Sequence, residues 1–318
     1  MQRNLALELV RVTEAAALAA ARENGRGDEM APERVATEAI FNAFAGISVQ
    51  GEIVVGDPQQ HEGDMLATGA KLGDGGEEVD IAVDPLEGAI SCALGGPNAM
   101  SIMTLATKGG FLRCPPNTYM EKVAGGADVA GLVDLDKSAA ENLAALAKVR
   151  GVYVEDLTVV ILDRPRHDDL IEEVRGAGAR VRLIPHGDVA AAMAAAREGS
   201  GIDLLLGTGG ATQGILSAAA IKCMGGFIQC RFKPRNQAET NGLYEAGISD
   251  IDRKLDAGDM AGGELLFAAT GVTNGEYLGG VRFLKGGALS NSVVMRSASG
   301  TVRLLETFHR FDYKPVYE

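Results

Sequence analysis

Near the N-terminus apolar residues recur at helical spacing, at Leu5, Leu9, Val12, Ala16 and residues 18–21, with Glu and Arg between them. That period predicts an amphipathic helix ending near Gly25. Pro32 suits the first turn of a second helix over 33–44. Ile53, Val54 and Val55 then make a short buried strand closed by Gly56. Residues 65–72 lead toward a hairpin, because GDGG at 73–76 is turn chemistry. Val79, Ile81, Ala82 and Val83, broken only by Asp80, read as a buried strand. Asp84 is expected to end it, since Pro85 removes a ladder donor and Gly88 allows a tight turn. Residues 99–106 and 119–123 are further strands, with a turn signal at Lys108, Gly109 and Gly110.

From residue 137 the pattern changes to a β–α alternation. An Ala/Leu helix over 137–150 is followed by strands at 158–162, 181–184 and 204–206 and helices at 168–176, 189–197 and 214–223. Such alternation predicts an α/β fold with a parallel or mixed sheet flanked by helices. Gly125–Gly126 and the acidic stretch 134–136 suggest a lobe boundary, giving an N-terminal lobe over 1–135 and a C-terminal lobe over 136–318 in one compact body. A polar helix from Gln237 to about Leu255 and strands at 265–269, 280–284, 292–296 and 302–308 complete the prediction.

The chain of 318 residues carries a formal net charge of −13, 46% hydrophobic residues and no Trp. Nucleic acid and anionic membrane are poor partners for such a surface, because phosphate backbones need basic groups. No run reaches the length of a membrane span and no signal peptide is evident, so a cytoplasmic location is expected. The four cysteines are widely spaced, without CxxC, and read as buried free thiols.

The candidate chemistry centres on DPLEGA at 84–89. Asp84 and Glu87 project two carboxylates from one rigid strand end, the oxygen-donor arrangement that hard cations such as Mg²⁺ or Mn²⁺ favour. An ordinary strand exit with solvated acids would carry the same residues. Arg164 and Arg166 follow another strand, and a guanidinium fork suits phosphate. Gly207, Gly209 and Gly210 leave backbone N–H groups open before a helix, a plausible phosphate or sugar cradle.

DPLEGA resembles the DPxxGT signature of the lithium-sensitive sugar phosphatases. RVTEAAALAA at 11–20, GRGD at 25–28, GGFLRCPPNTYMEK at 109–122, RPRHD at 164–168, IPHGDVAA at 184–191 and GTGGATQG at 207–214 are similar to the class II fructose-1,6-bisphosphatases, in that family's order. The resemblance covers nearly the whole chain. It implies a layered α-β-α-β-α fold with mixed sheets and a phosphatase dependent on Mg²⁺ or Mn²⁺. The substrate would be a sugar phosphate or bisphosphate, and the enzyme a homo-oligomer.

The same resemblance implies metal ligands at Glu33, Asp57, Asp84, Glu87 and Gln213, catalytic roles for Asp57, His61 and Glu87, and substrate contacts from Gly88, Ala89, Tyr119, Arg164, Arg166, His186, Asp188 and Gly210. Several positions depart from the family pattern. Glu33 and Asp57 exchange side-chain lengths, Gln213 replaces Glu, Ala89 replaces Thr, Glu29 replaces Lys, and Gln59, His61 and His186 replace acids. These changes predict weaker metal binding and slower turnover of fructose 1,6-bisphosphate. They leave two alternatives open: different sugar phosphate chemistry using His61 or His186, and a sugar phosphate binder without catalysis.

Overall fold

The computed structural model describes residues 1–2, 4–56 and 64–313. In chain order, α1 (Leu5–Ala20) and α2 (Ala31–Phe44) precede β1 (Val49–Val55), β2 (Lys71–Leu72), β3 (Glu77–Glu87), α3 (Ala89–Ala93) and β4 (Met100–Thr107). There follow β5 (Tyr119–Gly125), α4 (Ala139–Arg150), β6 (Thr158–Leu162), α5 (Asp168–Gly176), β7 (Arg180–Ile184), α6 (Asp188–Ala196), β8 (Leu204–Gly210) and α7 (Ala211–Met224). Next come β9 (Phe227–Phe232), α8 (Gln237–Glu245), β10 (Leu255–Asp256) and α9 (Ala257–Met260). The last strands are β11 (Leu265–Gly271), β12 (Arg282–Leu284), β13 (Gly287–Arg296) and β14 (Thr301–Arg310).

Two compact units emerge, Met1–Phe111 with Gly262–Glu318, and Leu112–Ala261. Composition suggests one boundary near residue 135. The chain instead crosses at 111/112 and again at 261/262. The reason is a long-range pairing: β11 returns to lie antiparallel to β4, with Leu265 opposite Ala106 and Gly271 opposite Met100.

The first unit carries, among the described residues, an eight-stranded sheet in the order β12-β13-β11-β4-β3-β1-β2, with β14 on β13. It is mixed, since β1 runs parallel to β3 and antiparallel to β2. Helices α1 and α2 bury Leu9, Ile40 and Phe44 against Ile53, Ile81, Leu105 and Leu266. Burial of a large aliphatic or aromatic side chain contributes roughly 1.5–3 kcal/mol. A line of buried hydroxyls fixes α1 on the sheet: Thr13 Oγ1 lies 2.8 Å from Thr270 Oγ1, which lies 2.9 Å from Ser292 Oγ. Asp80, the polar break in the β3 run, is buried because its Oδ2 accepts from Gly109 N at 2.8 Å in the turn after β4.

The second unit has a six-stranded mixed sheet in the order β10-β9-β5-β8-β6-β7. β6 is parallel to β7 and β8, and β5 is antiparallel to β8 and β9. The two faces are distinct. Val123, Val159, Ile161, Leu204 and Leu206 pack under α4 and α5. Opposite them α7 lies so close that a Cβ on Gly214 would meet Met120 Sδ. Helix α4 starts at Ser138, whose Oγ accepts from Glu141 N while Glu141 bonds Ser138 N, and it stops at Gly151 in a left-handed conformation.

Three further expectations are corrected by this topology. Strand β8 continues through Gly210 instead of ending at Leu206. Helix α8 ends at Glu245, not near Leu255, because Ala246 and the left-handed Gly247 close it. β2 pairs with β1, so the GDGG turn does not join a hairpin to β3. Among the described residues no helix is long and apolar enough to cross a membrane. The four thiols are free, and burial pushes Cys223 and Cys230 up to about 12.

Candidate active site

In the first unit the chemistry lies along one strand end. β3 does not stop at Asp84; it runs through Pro85 to Glu87. Its register against β4 shifts, so that Asp84 faces Ile102 and Glu87 faces Met100. Three steps on β3 therefore match two on β4, which is a one-residue bulge. Pro85 suits a bulge because it has no N–H to give the ladder. In a regular strand, residues three apart point to opposite faces. Ile102 and Met100 are two apart and share a face, and cross-strand partners share it too. The bulge thus brings Asp84 and Glu87 to one face. Both are buried, at 3% and 5% exposure.

Gly88 follows at φ +83, a conformation L side chains rarely adopt, and turns the chain into α3, of which Ala89 is the first residue. The loop before α2 is tied to this short helix: Gly25 N donates to Cys92 O and Gly27 N to Ala93 O, each at 2.9 Å. Asp28 Oδ1 accepts from Met30 N and Ala31 N and so starts α2. Glu33, in the first turn of α2, is the third buried carboxylate, at 8% exposure. GRGD and DPLEGA, far apart in sequence, are thereby joined through hydrogen bonds. Asp57 and His61 lie outside the described residues. Among the described residues no set of three or more His, Cys, Asp or Glu side chains forms a ready metal cage. In kind, the three buried carboxylates offer the oxygen donors that a hard divalent cation takes.

In the second unit the candidate residues gather at the ends of β5, β6, β7 and β8. Arg164 bridges two of them, with Nη1 donating to Asp163 O at 2.7 Å and Nη2 to Pro185 O at 2.6 Å. Arg166 donates from Nε and Nη2 to Thr208 O at 2.9 and 2.8 Å, and its guanidinium carbon stands 5.2 Å from the Tyr119 ring centroid. Asp188 begins α6 after the left-handed Gly187. Its Oδ2 is 2.5 Å from Lys122 Nζ, and both side chains are buried. A Cβ on Gly209 would collide with Asp188 Oδ2 and approach Lys122 Nζ, so a bare glycine is what admits this pair against β8. Gln213 sits in the first turn of α7, and its amide oxygen folds back over Gly210. His186 is held below the usual imidazole value by burial and by the Arg164 charge.

Three residues here escape a reading of motifs alone. Lys122 lies inside a quoted motif, but its partner Asp188 is visible only through sheet pairing. His167 follows Arg166, and its ring connects Leu162 O, 2.8 Å from Nδ1, with Thr208 N, which donates to Nε2 at 2.8 Å. Since Thr208 N–H must donate, Nε2 is the acceptor and Nδ1 carries the proton. Burial pushes this imidazole below its usual value. Arg235 is the third. Lys233 N donates to Tyr119 O at 2.8 Å, extending the β5–β9 pairing past Phe232 and bringing residue 235 alongside Tyr119. Its guanidinium carbon is 4.1 Å from that ring's centroid. Glu239 and the Asn117 carbonyl hold it there.

Residues 3–309 match the family described as bacterial fructose-1,6-bisphosphatase, glpX-encoded. The chain is 41% identical to the D-fructose 1,6-bisphosphatase class 2/sedoheptulose 1,7-bisphosphatase of Synechococcus elongatus, over 98% of each chain. It is 40% identical to the protein of the same name from Thermosynechococcus vestitus, over 98% of this chain and 97% of that one. With the motifs in order, the carboxylates on their bulge and the match spanning nearly all of its length, the chain belongs to the glpX-type class II fructose-1,6-bisphosphatase family.

Proposed function

We propose that this chain is a phosphoric monoester hydrolase that removes one phosphate from D-fructose 1,6-bisphosphate or sedoheptulose 1,7-bisphosphate, with Mg²⁺ or Mn²⁺ as cofactor. The observation that carries this reading is the β3 bulge, which turns buried Asp84 and Glu87 to one face beside the Gly88 turn. Glu33, Asp57, Asp84 and Glu87 are the proposed holders of the cation, and Gln213 a neutral oxygen donor. A divalent cation bound there would polarise the phosphoryl group and promote ionisation of an attacking water.

The chain's own residues do the rest. Glu87, with Asp57 and His61, is the proposed proton handler. Gly88 and Ala89 present backbone N–H groups to a phosphate. Arg164 and Arg166, anchored on carbonyls, keep their full positive charge for a sugar phosphate. Asp188, fixed by Lys122, and Gly210 line the sugar side together with His186, whose lowered pKa keeps it neutral near pH 7. Family membership favours hydrolysis over a binder or a different sugar phosphate chemistry.

The test is phosphate release from both bisphosphates with each metal, alongside Mn²⁺ calorimetry. Wild type should turn over and lose activity on chelation. Glu87→Gln should lower the rate by on the order of 10²–10⁴-fold. Asp84→Asn should lose the calorimetric signal. A wild type that binds neither metal and frees no phosphate sinks the reading.

A further inference from the structure

We propose that Asn98 is a positioning residue for the phosphoryl-binding turn at Gly88, acting through the segment that returns α3 to β4. The proposal rests on the phosphatase reading above and deepens it. Among the described residues Asn98 is the only non-glycine residue with a positive φ, at +65, and it is buried, at 8% exposure. Asn tolerates this left-handed conformation better than most side chains, and such residues gather where a site needs a fixed backbone. Helix α3, whose first residue Ala89 directly follows Gly88, has five residues and cannot hold itself by its own hydrogen bonds. It is tied to the return segment: Gly96 N donates to Ser91 O at 2.6 Å, and Ser91 Oγ donates to Pro97 O at 2.7 Å. A Cβ on Gly96 would stand 2.6 Å from Ser91 Oγ, so glycine permits this contact.

Asn98 anchors the other end of that segment. Its Oδ1 accepts from Glu276 N at 3.0 Å, and its own N donates to Asn274 O at 3.1 Å, both in the loop after β11. Ala99 continues the seam, with its N donating to Thr273 Oγ1 at 3.0 Å and its O accepting from Val272 N at 2.8 Å. Gly275 passes so near that a Cβ there would lie 2.8 Å from Asn98 Oδ1. The seam sits at the sheet end that holds the carboxylates, because Met100, two residues on, faces both Glu87 and Gly271. One short segment therefore connects to Glu87 through the β4 register and to the Gly88 turn through Ser91. Asn98 thus fixes where the Gly88 and Ala89 N–H groups stand relative to Glu87, and it supplies no reacting atom itself. A displacement of about 1 Å between a bound group and its catalytic partners can cost on the order of 10²-fold in rate. Arg164 and Arg166, proposed to hold the sugar phosphate, are anchored on other strands, so substrate affinity does not depend on this seam.

The experiment compares wild type with Asn98→Gly, which keeps the left-handed turn and deletes the amide, and Asn98→Asp, which keeps both the turn and the acceptor. Each is shown by circular dichroism to be folded. Asn98→Gly should lower kcat for D-fructose 1,6-bisphosphate about 10- to 100-fold, with KM and Mn²⁺ affinity within about threefold of wild type. Asn98→Asp should bring kcat back to within about threefold of wild type, since its carboxylate accepts the same bond. Amide hydrogen exchange over residues 89–96 should quicken about tenfold or more in Asn98→Gly and return to the wild-type rate in Asn98→Asp. A wild-type kcat in Asn98→Gly, a loss that Asn98→Asp shares in full, or a loss carried by KM or by Mn²⁺ affinity overturns the proposal. Hydrogen exchange separates this failure from failure of the phosphatase reading. If wild type releases no phosphate yet exchange over 89–96 quickens in Asn98→Gly alone, the catalytic reading falls and Asn98 still positions the turn. Unchanged exchange in Asn98→Gly overturns the positioning whatever the activity.

Discussion

His167 sits between two strand ends and uses both ring nitrogens there. Nδ1–H donates to Leu162 O at the end of β6, and Nε2 accepts from Thr208 N in β8. Its neighbour Arg166 takes the Thr208 carbonyl, so two consecutive side chains grip both polar groups of one residue. Protonating the ring would set an N–H against the Thr208 N–H. Burial already holds the imidazole below the unfolded value of about 6.5. A group depressed in the folded state contributes stability that is complete above the unfolded pKa and is lost as pH falls through the folded one. The urea midpoint should therefore drop between pH 7 and the lower folded pKa, and His167→Gln should flatten that part of the profile. Equal slopes in the two proteins would show that the ring does not titrate as described.

At the scale of the element, the bulge in β3 decides where Glu87 points. Removing Pro85 and Leu86 together would set Glu87 next to Asp84 in a regular strand and send its carboxylate to the other face. Mn²⁺ affinity should fall at least tenfold by calorimetry, with the far-ultraviolet circular dichroism unchanged; wild-type affinity in the deletion would mean that the bulge does not place the ligand. No periodicity rule shows this feature. Pro85 and Gly88 read as a stop, and the sheet continues because β4 pairs on beyond them. Local patterns did reveal β6 and α5 with their observed bounds, since β-branched runs and polar helix starts need no distant partner. β9 was legible and missed: Ile228, Cys230 and Phe232 are buried at period two. The candidate residues of the second unit were legible as motifs. Lys122, His167 and Arg235 were not, because each gains its partner only in the assembled sheet: His167 when β6 lies beside β8, and Lys122 and Arg235 when β5 lies beside β8 and β9.

The whole molecule is one unit interrupted by another. Leu112–Ala261 leaves after β4 and returns before β11, and those two strands are sheet neighbours. The exit and return are pinned in each unit: Gly262 N donates to Gly110 O at 2.6 Å, and Leu112 N to Met260 O at 3.0 Å. Joining Gly110 to Gly262 through a short turn should leave a folded first unit that still binds Mn²⁺. Loss of cooperative unfolding in that shortened chain would show that the first unit cannot stand alone.

The same arrangement sets an order of events during folding. Pairing β11 with β4 requires the ends of the whole intervening segment to meet, and closing so long a loop instead of a short turn costs on the order of 3 kcal/mol in chain entropy. A second unit that folds first draws its own ends together and removes most of that cost before the strands search for each other. The inserted unit then acts as an internal tether, and the slow step of refolding belongs to it even when the probe reports on the first unit's sheet.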